Sequence, residues 1–432
     1  MRPLSRRRFL QSSLAGVAVP LVLPSLASAG LRRVASSDRI TMGLIGCGGM
    51  GNADMNEFLG MGDVQVVAVC DPDQSRREES KRVVENHYAA QRRDGTFSGC
   101  EAYNDFRDLL ARDDIDAVIQ ATPDHWHAIV IVHAAQAGKD IYGEKPLSLT
   151  IDQGRAMSDA VKRYGRVFQT GSQQRSDDNF RYACELVRNG RIGQVHHVTC
   201  GLPTTPTTGN HPEIPVPDGF DYNLWLGPAP FEPYCEHRTH WDFRWILDYS
   251  GGQVTDWGAH HIDIAHLGLG LGETGPVEVE GKADWPMDGL WDAATNFDFT
   301  ATYATGVKIR VTNHFENGVK WEGDDGWVFV NRSYIDAEPK WLLQEKIRPN
   351  EINLPRPRGG GHRRDFIECV KTRDLTIAPI EQAHRTITVA HLGNIAMMLG
   401  RKVQWNPDTE RFVNDPAAER LRDRAMREPW SL

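Results

Sequence analysis

Three things are scarce in this 432-residue sequence, and each scarcity excludes something. Cysteine is the first: seven, an odd number at irregular spacing, with none before Cys47. That is no disulfide framework, and it offers no cysteine for a lipid-modified N-terminus. Cys47 and Cys70 sit in apolar strand-end contexts, where packing is the expected use. Long apolar runs are the second. The weakly apolar stretch Leu14 to Leu26 is broken by Pro20 and Pro24, and about 18 residues are needed to span a bilayer, so no retained membrane span is expected. Surplus positive charge is the third: 49 Lys and Arg against 58 Asp and Glu leave −9, which argues against a nucleic-acid partner. Tryptophan is scarce only locally. Trp126 stands alone in the first 200 residues and the other eleven follow. A content of 40% hydrophobic and 25% charged residues excludes collagen-like and mainly disordered chains. The length suggests two domains, and the tryptophan asymmetry suggests that they do different jobs.

The N-terminus reads as an address. Ser5-Arg6-Arg7-Arg8-Phe9-Leu10 precedes the weakly apolar stretch, and Ala27-Ser28-Ala29 offers a small-residue cleavage site. The segment resembles a twin-arginine export signal. Cleavage after Ala29 leaves 403 residues, removes Arg2, Arg6, Arg7 and Arg8 and no acid, and so takes the charge from −9 to −13. The expectation is passage through a twin-arginine translocase to the periplasm or beyond. That route carries folded proteins, which reconciles reduced cysteines with an oxidising compartment and allows a cofactor to be loaded before export.

Residues 40–45 read as a short buried strand, followed by Gly46-Cys47-Gly48-Gly49-Met50-Gly51, a helical pattern from Asn52 to Leu59, and a second strand from Val64 to Cys70 ending at Asp71. A G-x-G-x-x-G run is weak evidence alone, but here it lies between strand and helix. Gly46 makes the tight turn, Gly48 admits a pyrophosphate, and Gly51 lets helix and strand pack closely. The helix N-terminus presents unpaired N–H groups to the phosphates. Asp71, twenty residues beyond Gly51, is placed to accept hydrogen bonds from ribose hydroxyls. It favours NAD over NADP, since a carboxylate repels a 2′-phosphate, while Arg76 and Arg77 keep NADP open. Strand and helix patterns then alternate to residue 170, as in a doubly wound parallel sheet. Segment 85–100 is polar and reads as a helix end plus loop. Two strand ends carry polar chemistry: Thr122-Pro123-Asp124-His125-Trp126-His127, before a helix over 128–137, and Gly143-Glu144-Lys145-Pro146. Ligands lie at such carboxyl ends. On the cofactor side we therefore place Gly46, Gly48, Gly49, Met50, Gly51, Asp71, Thr122, Pro123, His125, His127, Glu144 and Lys145.

In the second half, Gly251-Gly252-Gln253-Val254-Thr255-Asp256-Trp257-Gly258-Ala259-His260-His261-Ile262-Asp263 opens a helix after a glycine turn. Asp256 and His260 are four apart and share a helical face, where a carboxylate can orient an imidazole and raise its basicity. Together with the glycine loop, Thr122-Pro123 with His127, and Glu144-Lys145-Pro146, this sequence resembles the Gfo/Idh/MocA oxidoreductase family over residues 38–400. The resemblance implies that Lys145, Asp256 and His260 form the catalytic set. It implies a sugar, glycoside or cyclitol substrate, hydride transfer to tightly bound NAD or NADP, and a C-terminal α+β domain with an open, mostly antiparallel sheet that makes oligomer contacts. The family reaction needs no metal. His260, His261, Asp263 and His266 are joined by no further ligand set of credible spacing, so none is expected.

Other second-half residues stay open. Arg175, after the last strand of the first domain, is a substrate contact or an interdomain ion pair. His261 is a substrate contact or a packing residue, since it points about 100° away from His260, and Asp263 is a further substrate candidate. Trp245, in the loop with His240, Trp241 and Arg244, offers a flat face for a sugar or packs in a core. The expected organisation is a signal over 1–29, a linker over 30–38, a Rossmann domain over 39–170, a substrate and oligomerisation domain over 171–400, and a tail over 401–432. Helix 380–399 is expected to return to the first domain. Which of Lys145 and His260 is the base stays open, as does net oxidation against redox-neutral glycoside cleavage through a transient ketone. A non-catalytic cofactor-bound sugar sensor is the alternative of another class; it needs no proton-transfer set.

Overall fold

The computed structural model describes residues 39–432; the export signal expected over 1–29 and the linker expected over 30–38 lie outside them. The first domain carries six parallel strands: β1 (Ile40–Ile45), β2 (Val64–Cys70), β3 (Glu101–Tyr103), β4 (Ala117–Gln120), β5 (Asp140–Gly143) and β6 (Phe168–Thr170). Their order, β3-β2-β1-β4-β5-β6, reverses direction between β1 and β4. That is the switch point at which such sheets open a crevice at their carboxyl ends. The central strands β1, β2 and β4 are buried on both faces, which is why they read as unbroken apolar runs rather than alternations. Strand β3 is short and polar, without a sequence signal of its own. Helices α1 (Gly49–Leu59), α2 (Gln74–His87), α3 (Asp124–Gln136) and α4 (Ile151–Arg163) form the crossovers.

The second domain holds the nine-stranded sheet β13-β12-β11-β7-β10-β9-β8-β14-β15. In chain order its strands are β7 (Val195–Gly201), β8 (Glu278–Asp284), β9 (Asn296–Thr302), β10 (Lys308–Thr312), β11 (Gly318–Gly323), β12 (Gly326–Val330), β13 (Ile335–Glu338), β14 (Val403–Asn406) and β15 (Arg411–Phe412). Only β7 and β10 pair in parallel; the other pairings are antiparallel. Burial alternates along β8 and β9, the period-2 pattern of a sheet with one packed face. Helices α5 (Asp178–Arg188), α6 (Gly258–Leu269) and α8 (Ile380–Leu399) cover the sheet.

Residues 401–432 are not a tail. Val403 and Gln404 pair with Val279 and Glu278, and Trp405 and Phe412 are buried, because β8 would otherwise expose its outer hydrogen-bonding edge. Helix α8 packs between α4 of the first domain and β8 and β9 of the second, as its apolar length requires. Helix α7 (His362–Thr372) returns as well: Phe366 meets Phe58 edge-on at 6.2 Å, and Arg363 reaches Asp54 at 2.6 Å. One apolar core runs through both domains. A separate aromatic cluster, including Phe220, Tyr222, Trp225, Phe243 and Tyr249, supports the long segment 202–249, which crosses back to the first domain where the Asp221 N–H donates to the Pro72 carbonyl (3.0 Å).

Candidate active site

Between the domains lies a cleft of about 640 Å³. Its floor is the glycine loop. Gly46 has φ +97°, and a Cβ there would strike the Ala121 backbone; one at Gly51 would overlap the Gly46 carbonyl oxygen. Both must be glycine for α1 to sit this close to β1 and β4. Gly48 caps α1 without a side-chain bond, and a Cβ at Gly49 would meet nothing. The loop thus leaves open space over unpaired helix N–H groups, the arrangement that receives a phosphate. Gly46, Gly48, Gly49 and Met50 line the cleft, whereas Gly51 acts behind it.

Asp71 also lines the cleft. Its Oδ2 accepts from the Cys47 N–H (2.8 Å) and its Oδ1 from the Asp73 N–H (2.9 Å). Burial pushes its carboxyl up to about 6, although these N–H groups and Arg76 oppose the rise. Each oxygen keeps a further lone pair for a ribose hydroxyl. The open glycine cradle and this held carboxylate fit an NAD-type dinucleotide. Arg76 stands at the same end, 3.5 Å from Asp73.

At the other end Lys145 Nζ donates to Asp256 Oδ1 at 2.6 Å, and Arg244 Nε lies 3.7 Å from the same oxygen. Burial alone would raise the Asp256 carboxyl, but Lys145 and Arg244 outweigh it and hold it below the ordinary range. The expected pairing of Asp256 with His260 is corrected here. The backbone stays helical through Trp257 (φ −84°, ψ −26°) and both residues line the cleft, but the Asp256 carboxylate turns to Lys145 and Arg244, and among the described residues no hydrogen bond joins it to His260. His260 lines the cleft, and its Nδ1 is buried without a partner. Burial, then Lys145 and Arg332, hold its imidazole well below the usual range and therefore neutral. Glu144 borders the cleft too. Burial raises its carboxyl, and a Cβ at Gly171 would overlap that group.

Thr122 and Pro123 line the cleft as expected; His125 and His127 do not. Helix α3 starts at Asp124, four residues earlier than expected, so both histidines sit in its first turn with their rings turned inward. His125 Nε2 meets the Trp225 carbonyl at 2.9 Å. His127 ties two strand ends together through the Pro146 carbonyl at Nδ1 (2.7 Å) and the Thr122 carbonyl at Nε2 (2.8 Å).

Four substrate candidates are also displaced from the cleft. Arg175 and Asp263 form a fork-to-fork ion pair, Nε to Oδ2 and Nη2 to Oδ1, both 2.6 Å, in which the side chains are 4% and 3% exposed. His261 Nε2 is spent on Asn317 Oδ1 at 2.6 Å, and burial lowers its imidazole to about 4. Trp245 is buried, facing Trp291 at 6.4 Å; its neighbour Trp241, 68% exposed, is the tryptophan of that loop on the cleft. Arg332, on the β12–β13 turn, lines the cleft, and its guanidinium lies over the Trp257 ring at 4.4 Å. Nothing in the local sequence Asn331-Arg332-Ser333 marks it, since only the sheet's return brings it opposite Lys145.

His266 bonds Tyr303 (2.5 Å) rather than converging with His260 and His261. The three-residue group close enough to share an ion among the described residues lies elsewhere, at His211, Glu236 and His237. No helix among the described residues is long and apolar enough to cross a membrane.

A crevice over a glycine-floored helix start, where a lysine of the first domain meets an aspartate and a histidine of the second, defines a dinucleotide-using enzyme of the two-domain oxidoreductase class. Residues 40–172 match the family model described as "Oxidoreductase family, NAD-binding Rossmann fold", and residues 206–432 match "Oxidoreductase family, C-terminal alpha/beta domain". The chain belongs to the Gfo/Idh/MocA oxidoreductase family. It is 28% identical over 208 residues to a "Glycosyl hydrolase family 109 protein" of Shewanella pealeana, 45% of each chain. It is 27% identical over 274 residues to the scyllo-inositol 2-dehydrogenase (NAD(+)) of Bacillus subtilis, covering 62% of this chain and 66% of that one. The first of these matches thus spans less than half of the relative's length. The fold is shared with an aldose-aldose oxidoreductase of Caulobacter crescentus solved with glycerol, with a TM-score of 0.62 at 19% identity over 85% of this chain and 99% of that one.

Proposed function

We propose that this protein holds NAD tightly on its glycine loop and oxidises a hydroxyl-bearing carbon of a sugar, glycoside or cyclitol. The observation that carries the reading is the 2.6 Å contact of Lys145 with Asp256 beside a buried, neutral His260. Asp71 and the glycine loop would hold NAD, which when bound would supply the hydride acceptor. His260 takes the hydroxyl proton, because it is the group held neutral. Lys145 is anchored by Asp256 as an ammonium and stabilises the developing alkoxide. This divides the work between the two candidate bases: one moves the proton, the other holds the charge. The test is His260→Ala in protein that still carries NAD, with reduction of bound nicotinamide followed by fluorescence across a sugar panel. Turnover at the wild-type rate in that variant refutes the assignment. Mass spectrometry of the native protein distinguishes NAD from NADP.

Likeness to glycosyl hydrolase family 109 proteins favours a second reading, in which oxidation of a hydroxyl-bearing carbon to a ketone would acidify the neighbouring C–H, a base of the cleft would take that proton as the glycosidic substituent leaves, and return of the hydride to the ketone carbon would make the reaction redox-neutral. Exchange of deuterium from solvent into the neighbouring carbon, together with aglycone release, identifies it. Export by the twin-arginine route fits this reading, since an exported enzyme has no cofactor pool to draw on. Arg6→Lys with Arg7→Lys should then retain the protein in the cytoplasm on fractionation. The sheet of the second domain is where we place a homo-oligomer contact, which light scattering tests.

A further inference from the structure

The charge around the reacting end of the cleft does not balance. Lys145, Arg244 and Arg332 all line it, facing the carboxylate of Asp256, which is already engaged by Lys145 at 2.6 Å. Glu144 and Asp124 also border this space, but burial raises both carboxyls, and Asp124 is occupied by the Ser250 hydroxyl at 2.5 Å. His260 adds no negative charge. A bound oxidised nicotinamide would add one more positive charge.

Arg332 is the least compensated of the three cations. Among the described residues, the carboxylate acting on it is Asp256, at more than ion-pair distance, and partial burial lowers its guanidinium below the ordinary range. It is nonetheless held in place. Its face stacks on Trp257 at 4.4 Å. With the Gln174 amide turned to donate to the His260 carbonyl (3.2 Å), the amide oxygen accepts from Arg332 Nε (3.1 Å). The Nε edge is thereby spent, and the two terminal nitrogens are left to a ligand. Arg244 is held likewise, stacked on Trp241 at 4.3 Å with Nη1 donating to the Trp241 carbonyl at 3.0 Å. Arg244 shares the Asp256 carboxylate with Lys145 at 3.7 Å, whereas Arg332, stacked on an aromatic ring with no carboxylate in ion-pair reach among the described residues, is free to receive a planar or tetrahedral oxyanion.

We propose that the substrate is an acidic sugar, carrying a carboxylate or a phosphate monoester that Arg332 and Arg244 receive beside the Lys145–Asp256 pair. This deepens the reading of the cleft as a sugar site and rests on it. Calorimetry on the NAD-loaded full chain compares glucose, glucuronate and glucose 6-phosphate at low ionic strength. At least one acid is expected to bind on the order of 10- to 100-fold more tightly than glucose, the range of one charge-assisted contact pair, and added salt should erode that preference. Which acid gains separates carboxylate from phosphate recognition. Arg332→Gln should shrink the ratio to about threefold or less, while Arg332→Lys keeps part of it; retained NAD shows that each variant is folded. If neither acid outbinds glucose, or if Arg332→Gln leaves the ratio intact, the proposal is overturned. Selective binding of an acid without reduction of bound NAD by any sugar would instead sink the oxidoreductase reading and leave the anion site standing.

Discussion

The pair Arg175–Asp263 decides between a substrate site and a structural clamp, and the two alternatives give opposite signatures. The side chains are 4% and 3% exposed, with two bonds of 2.6 Å between them. Gln382 Oε1 accepts from Arg175 at 2.5 Å, and Thr386 Oγ1 lies 3.3 Å from Asp263. Replacing Arg175 by methionine keeps the volume but leaves the Asp263 carboxylate in the core with one long hydroxyl contact. Removing one partner of a buried pair costs roughly 3–5 kcal/mol. Pairing Arg175→Met with Asp263→Leu removes the stranded charge, so most of that loss should return, by about 2 kcal/mol or more. Urea denaturation of the NAD-free protein, monitored by tryptophan fluorescence, measures both variants, and a thermodynamic cycle isolates the coupling. NAD affinity should be unchanged within about twofold in the double variant, since neither residue lines the cleft and distant sites act independently. The reasoning fails if Arg175→Met is destabilised by less than about 1 kcal/mol, the level of an exposed pair, while the sugar KM rises.

Three further outcomes follow from groups with defined partners. Asp71→Asn should weaken NAD binding by about 10- to 100-fold, the loss of charge-assisted bonds to ribose, read by calorimetry; unchanged affinity would remove Asp71 from the site. Gly51→Ala forces a Cβ onto the Gly46 carbonyl oxygen and should cost about 1–3 kcal/mol together with NAD retention, both visible in one melt with and without cofactor. Stability should fall with acid. His125, His261, His362 and His391 are lowered to about 4 by burial, His266 to about 3, and His260 well below its usual value, so below pH ~6.5 the unfolded chain binds protons that the native state refuses. Asp54, Asp71, Asp124 and Glu144 are raised and act in the opposite sense. The six histidines outnumber these four carboxyls, so the net effect should be a loss of stability as pH falls below about 6.5. Midpoints that hold steady from pH 6.5 to 4.5 would refute it.

The first domain was legible because its signals are local. Strands β1, β2 and β4 are buried on both faces and read as apolar runs, and the glycine loop sits between strand and helix, where backbone geometry alone dictates the residue type. Strand β3 escaped notice because three polar-edged residues carry no pattern. Strands β14 and β15 escaped because the demand they meet, covering the free edge of β8, is set more than 100 residues earlier in the chain. Histidines at 125 and 127 looked like ligands because the helix was expected to start too late. A start at Asp124, with Pro123 as its cap, moves both rings from the strand-end crevice to the inside of the first helical turn.

The catalytic end shows where spacing arguments stop. Asp256 and His260 stand four apart, and on a continuous helix that spacing can make a dyad. Here the spacing does not decide it: the backbone stays helical through Trp257, yet the carboxylate turns to a lysine 111 residues away in sequence. This changes the chemistry and not merely the geometry. An aspartate on His260 would raise the basicity of the imidazole, whereas an aspartate on Lys145 fixes an ammonium in place, and that ammonium in turn helps to keep His260 neutral. Asp256→Asn therefore separates the two arrangements. If Asp256 acts on Lys145, freeing the amine from its counter-charge should weaken alkoxide stabilisation and lower kcat by about 10²- to 10³-fold, the cost of one preorganised electrostatic partner. The acid limb of the kcat profile, which the proposed mechanism assigns to His260, should move little or to lower pH, because less negative charge is left nearby. An orienting dyad predicts a clear shift of that limb with the loss of its carboxylate, as the imidazole loses a direct 1–3 unit influence. A large shift accompanied by an unchanged response to Lys145→Met would restore the dyad and overturn the division of roles drawn from the 2.6 Å contact.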